Sequence, residues 1–193
     1  MSSLGVCMIE QLSLSDVKSF QEYNAHERVF SIRDDSCHLR GYIAIHRNHG
    51  KGAIGGTRMF PYKSEREAIE DALRLSYAMS NKCAISGLPY GGGKAVIIGD
   101  PDRGKSDQML RTYARIINSL PVSFFTGEDV GMTESDVQVM VEESPFFIGK
   151  SDHAGDPSPF AALSTFLTMQ AACRHRFGSD DMAASVSRRR PVV

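Results

Sequence analysis

One lysine follows three consecutive glycines, Gly91-Gly92-Gly93-Lys94, and an unbroken apolar run, Ala95-Val96-Ile97-Ile98, follows the lysine. Three residues without side chains let a backbone and a ligand come close to a single amine. A lysine leaving such a turn for an apolar strand loses hydration. That lowers its pKa and suits it to proton transfer near neutral pH. The plainer reading is a flexible turn ending in a surface lysine. A phosphate loop fails on spacing, because Gly-x-x-x-x-Gly-Lys-[Ser/Thr] needs glycine at position 88 and a hydroxyl at position 95, and the chain has Leu88 and Ala95. Lys82 lies twelve residues before Lys94, a gap that lets one lysine end a helix while the other starts a strand. Two ammonium groups in one cleft would repel, and Asp129 offers a counter-charge. Taken alone, Lys82 reads as a helix C-terminal lysine complementing the dipole, and Asp129 as an acidic turn residue. His46 and His49 form the other candidate pair. No third or fourth ligand follows at useful spacing, so a solvated turn is expected there and no metal site.

The elements that would carry these residues alternate between strand and helix. Residues 28–33 and 39–47 read as strands around the polar turn Asp34-Asp35-Ser36, and 53–60 as a third strand. Ser64 with Glu67 predicts a capping box opening a helix whose Ile69, Leu73 and Tyr77 share a core-facing side, with Met79 and Lys82 on a neighbouring one. Pro89 to Gly93 reads as a chain break before the strand 95–98. Residues 106–120 read as helix, 122–126 as strand, and Thr133 with Asp136 caps a helix to about Glu143. A long helix over 157–177 follows, with prolines in the first turn where they are tolerated. This alternation implies an α/β fold: a three-layer α/β/α domain with a mostly parallel sheet. Ligands are then expected at the carboxyl ends of the strands.

The fourteen residues from Leu88 to Pro101, Leu-Pro-Tyr-Gly-Gly-Gly-Lys-Ala-Val-Ile-Ile-Gly-Asp-Pro, resemble the active-site signature of the Glu/Leu/Phe/Val dehydrogenase family. Gly55-Gly56-Thr57-Arg58-Met59, Met79-Ser80-Asn81-Lys82 and Thr126-Gly127-Glu128-Asp129-Val130-Gly131 resemble other segments of that family, in the same order. The likeness runs from roughly residue 28 to 178 and is strongest to leucine dehydrogenases. It implies that Lys82 pairs with the substrate α-carboxylate and that Lys94 is the catalytic lysine that activates water. It implies further that Asp129 shuttles a proton to and from the substrate nitrogen, that Gly55 and Gly56 line the pocket, and that Met79 touches the substrate side chain. His153 is given no role by the resemblance. Asp156 stands where leucine dehydrogenases usually carry asparagine.

The resemblance also implies NAD as cofactor, an L-amino acid or 2-oxo acid as small-molecule partner, and a homo-oligomer. Family members pair this domain with a second, dinucleotide-binding one, marked by Gly-x-Gly-x-x-Gly at a strand-to-helix turn. No such turn is read here. The expectation is therefore a domain over 1–178, a short unfamiliar tail over 179–193 with three consecutive arginines, and a truncated or frameshifted product without a cofactor-binding residue of its own. A non-catalytic oligomerisation or small-molecule-binding module is the alternative. With 22 basic and 23 acidic side chains the net charge is −1, which gives no bulk case for nucleic acid or an anionic membrane. Four widely spaced cysteines, no long apolar stretch and no secretory leader fit a cytoplasmic protein.

Overall fold

The computed structural model describes residues 8–148 and 158–183. The chain divides into two compact units, 1–150 and 151–193. The first unit is built on a six-stranded sheet in the order β1-β2-β3-β5-β4-β6. Its strands are β1 (Met8–Gln11), β2 (Arg28–Asp34), β3 (Leu39–Ile45), β4 (Ala53–Phe60), β5 (Gly91–Ile98) and β6 (Phe124–Glu128). Pairing is antiparallel from β1 through β5 and parallel through β5, β4 and β6. Helices cover both faces. Successive residues of β3 and β5 point to opposite sides, so Ile43, Ala95 and Ile97 pack with α3 (Asp107–Ser119) and α4 (Glu134–Val141). Ala44 and Val96 pack instead with Val17 of α1 (Leu14–Val17) and with Ala68, Ala72 and Leu73 of α2 (Glu65–Ile85). The expected α/β/α layering is thus the one found, with its parallel pairing in the half of the sheet that carries β4, β5 and β6.

Caps define the helix starts. Ser64 Oγ accepts from the Glu67 amide at 3.1 Å, while the Glu67 carboxylate reaches one residue further back, to the Lys63 amide at 2.8 Å. Thr133 and Asp136 form the full reciprocal box. The short β1 and α1 carry no pattern that announced them. In the second unit α5 (Ser158–Phe177) leaves Phe160, Leu163, Phe166 and Leu167 exposed. No helix among the described residues is long and apolar enough to cross a membrane. Cys37, Cys83 and Cys173 are free thiols. Cys7, His153, Asp156 and positions 184–193 of the expected tail lie outside the described residues.

Two expectations are corrected. Gly91, Gly92 and Gly93 are not a loop: they are the first three residues of β5, and Lys94 stands fourth, inside the strand. Their smallness serves packing. A Cβ on Gly92 would lie 2.2 Å from the Ser80 nitrogen and 2.3 Å from the Ser76 oxygen of α2, and one on Gly93 would lie 2.6 Å from the Phe124 ring. Glycine lets α2 approach the strand more closely than any other residue would.

His46 is not in a solvated turn either. It is 5% exposed, and its ring bridges Ser80 Oγ at 2.7 Å (Nδ1) and the Asn24 carbonyl at 2.9 Å (Nε2). A carbonyl only accepts, so Nε2 carries the proton and Nδ1 of the neutral ring accepts from Ser80. Ser80 in turn accepts from the Gly92 amide at 2.9 Å. His26 stacks edge-on against His46 with ring centroids 5.0 Å apart. Its Nδ1 accepts the Asn24 amide at 3.1 Å, so its Nε2 donates toward the Leu73 carbonyl at 3.0 Å.

Both histidines are therefore built as neutral rings. Burial first, then His46 and Arg47, push His26 down to about 4, and burial with Arg47 lowers His46 as well. A histidine whose folded pKa is depressed binds fewer protons folded than unfolded. Stability is then lost as pH falls from about 6.5 toward 4. The His26 part of this loss is about 2 kcal/mol once solvent screening is allowed for. Urea unfolding between pH 7 and pH 4 measures it. His26→Gln should remove the steepest part of the loss, and an equal pH dependence in that variant would refute the assignment.

Candidate active site

The parallel register sets Gly56 of β4 beside Lys94 of β5. A Cβ on Gly56 would come within 3.0 Å of Lys94 Nζ and 2.9 Å of Asp129 Cβ, so its missing side chain is the space the two charges share. Lys94 Nζ meets Asp129 Oδ1 at 2.8 Å, with the lysine side chain 5% exposed and the aspartate 24%. Asp129 follows β6 directly and is fixed by its backbone: Met132 N donates to its carbonyl at 2.9 Å, and Met59 N donates to Val130 O at 2.9 Å. Gly131 turns the chain at φ +80°, where a Cβ would strike the Met59 carbonyl at 2.0 Å.

The second oxygen of Asp129 is held by Arg58, whose Nε donates to Oδ2 at 2.7 Å. The Arg58 Nη1 donates to Asp71 Oδ2 of α2 at 2.8 Å, and the Tyr62 hydroxyl donates to the same oxygen at 2.7 Å. Arg74 also pairs with Asp71. A cavity of about 450 Å³ opens against Arg58, Tyr62 and Asp71.

Burial lowers the Lys94 ammonium from its ordinary value, Arg58 adds to that, and Asp129 opposes it. The second cation acting on Lys94 is therefore Arg58, in the place expected for Lys82. Burial alone would raise the Asp129 carboxyl, but Lys94 and Arg58 outweigh it and hold the group below the usual carboxylate range. The arrangement is a buried amine with a weakened hold on its proton, joined to a carboxylate with one committed and one exchangeable oxygen. It is suited to moving a proton between a bound molecule and the protein.

Of the residues singled out in the sequence, Lys94, Asp129 and Gly56 come together directly. Gly55 lies next to them, and a Cβ there would sit 3.4 Å from Met79 Cγ and 1.8 Å from the Gly93 oxygen. Lys82 is exposed in the last turn of α2, three residues beyond Met79, with no ion-pair partner among the described residues. Arg58 and Asp71 had no role from the sequence. Arg58 had a signal: it is two residues from Gly56 along one strand and so shares its face. Asp71 had none. No group of His, Cys, Asp and Glu among the described residues suits a metal.

The spacing Gly-x-Gly-x-x-Gly does occur once, at Gly50, Gly52 and Gly55. It leads from a bridge region into β4 rather than from a strand into a helix. It therefore lacks the helix N-terminus that cradles a pyrophosphate.

Residues 23–145 match the family model described as Glu/Leu/Phe/Val dehydrogenase, dimerisation domain. Leucine dehydrogenase of Geobacillus stearothermophilus is 41% identical over 170 residues, covering 86% of this chain and 46% of that protein. L-tryptophan dehydrogenase of Nostoc punctiforme is 42% identical over 154 residues, covering 80% of this chain and 43% of that protein. The crystal structure of the Nostoc enzyme superposes with a TM-score of 0.65 at 37% identity, over 88% of this chain and 47% of its own. The chain thus spans about half the length of the curated relatives it matches.

Proposed function

The chain belongs to the Glu/Leu/Phe/Val dehydrogenase family, and from that membership we propose that it supplies the substrate-binding and oligomerising part of an NAD-dependent amino-acid dehydrogenase. The reaction is L-amino acid, NAD⁺ and water giving 2-oxo acid, ammonium, NADH and a proton. The observation that carries this reading is the 2.8 Å pair between buried Lys94 and Asp129 across Gly56. In this reading Lys94, its proton held weakly because it is buried, takes the proton of the water that attacks the substrate imine. Asp129 passes a proton to or from the substrate nitrogen. Lys82 meets the α-carboxylate, Gly55 and Gly56 line the pocket, and Met79 contacts the side chain. NAD supplies the hydride acceptor for the substrate Cα when bound. The described residues offer it no phosphate cradle. Residues 1–178 are read as this domain, and a cytoplasmic location accords with the free thiols.

Titration calorimetry on the full chain tests the reading with L-leucine, L-valine, L-phenylalanine, L-tryptophan and the matching 2-oxo acids. Binding of at least one pair is expected, and Lys82→Ala should weaken it about 10- to 100-fold through the lost charge-assisted contact. No heat with any of them sinks the proposal. NADH formation by the 193 residues alone is expected to be negligible. A second reading, an assembly module, is favoured by the dimerisation domain to which residues 23–145 match. Light scattering on the eluting protein decides that part, since a uniform monomer would exclude it.

A further inference from the structure

The Lys94–Asp129 pair is the end of a longer chain of charges: Asp71, Arg58, Asp129 and Lys94 alternate in sign and each touches the next. Arg58 is the link that spans two elements. It leaves β4, reaches Asp71 on α2 with Nη1 and Asp129 after β6 with Nε. Its side chain is 20% exposed, against 12% for Asp71, so most of the fork is withdrawn from water. A guanidinium donates from fixed directions in one plane, which a lysine ammonium cannot reproduce. Asp71 is itself held by the Tyr62 hydroxyl and by Arg74. The fork therefore has an anchored end and a working end.

We propose that Arg58 is a positioning residue: anchored by Asp71, it commits oxygen Oδ2 of Asp129 and so leaves Oδ1 as the oxygen that faces Lys94. This rests on the reading of Lys94 and Asp129 as the proton-exchanging pair. An Asp129 free to rotate would present either oxygen and would hold Lys94 loosely. With the fork in place, proton exchange is confined to one oxygen in one direction. The charged and titratable groups that bear on the pair are Arg58 and Asp71, with Tyr62 and Arg74 behind them.

Charge and geometry separate in Arg58→Lys, which keeps a cation and loses the planar fork. The readout is competitive acetylation of Lys94 across pH, followed by mass spectrometry of the full chain. It is paired with carbon NMR titration of Asp129, assigned by Asp129→Asn. If the fork positions Asp129, Arg58→Lys loosens the pair. Lys94 then labels about fivefold faster at neutral pH, and the Asp129 midpoint moves up. If Arg58 matters only as a nearby charge, both profiles stay at wild type, and that result overturns the proposal. A purely structural tie between β4 and α2 would lower the melting temperature and leave both profiles in place, which also overturns it. Should the Arg58 variant not fold, Tyr62→Phe removes one hydrogen bond to the Asp71 carboxylate and no charge. It should move both profiles the same way by less, and unchanged profiles count against the proposal. Failure of the wild-type chain to bind any amino or 2-oxo acid would sink the functional reading instead, and the two profiles would still be measurable.

Discussion

Gly92→Ala is expected to lose about 3 kcal/mol or more of folding stability, the upper end of an overpacking change. That is a large share of what a small domain has to spare. The new methyl group would sit 2.2 Å from the Ser80 nitrogen and 2.3 Å from the Ser76 oxygen. Both are backbone atoms of α2, so no side-chain rotation relieves the overlap. Either α2 lifts from β5 or the strand bends. Both movements disturb Ser80, which accepts from the Gly92 amide and donates to His46. Two controls isolate the cause. At Gly99 a methyl group would meet only the flexible end of Met59, at 2.7 Å, and Gly99→Ala should cost under about 1 kcal/mol. At Gly87, with φ +64° and nothing within 4 Å, alanine meets backbone strain alone, about 1 kcal/mol. Urea unfolding of the three variants orders them. A Gly92 variant no less stable than the Gly99 variant would mean that the glycines are not there for close packing.

That result bears on what the sequence could reveal. The helix starts at Ser64, Ser106 and Thr133 were legible because a capping hydroxyl acts on amides two or three residues away, within one local window. The strands of β2, β3 and β4 were legible from their alternation and their branched residues. The glycines of β5 were not, since three glycines carry no strand preference and read as a break. What places them in a strand is the proximity of α2, a contact made through tertiary structure. His46 misled for the same reason, because its partners Asn24 and Ser80 lie 22 and 34 residues away. In the site, Lys94 stood out through its neighbours in sequence, and Asp129 only through the family likeness. Asp71 was silent and Arg58 gave only its shared face with Gly56, because their meaning lies in contacts 71 and 13 residues apart. Sequence patterns expose residues that act through local geometry. They hide the residues that hold those in place.

Asp129→Asn tests the electrostatic heart of the site and is expected to cost about 3–5 kcal/mol at pH 7, the penalty for leaving a buried charge without its partner. Lys94 is 4% exposed, so water cannot replace the lost carboxylate. Among the described residues the cation already pressing on it is Arg58, which remains. In the wild type the ammonium is already lowered by burial and only partly supported by Asp129. Removing that support lowers it further. A lysine whose folded pKa is depressed binds fewer protons folded than unfolded in the interval below the ordinary lysine value. There, stability rises with pH. The variant should therefore be much weaker than wild type at pH 7 and closer to it at pH 10, where the amine gives up its proton at little cost. Lys94→Met should cost less, because Asp129 keeps Arg58 and is 24% exposed. The double variant Lys94→Met with Asp129→Asn should recover most of the loss, since no unpaired charge then remains. Equilibrium unfolding of the four proteins at the two pH values reads all of this. A deficit in Asp129→Asn of equal size at both pH values would mean that the lost contact is only a hydrogen bond, and that the buried ammonium does not depend on its carboxylate.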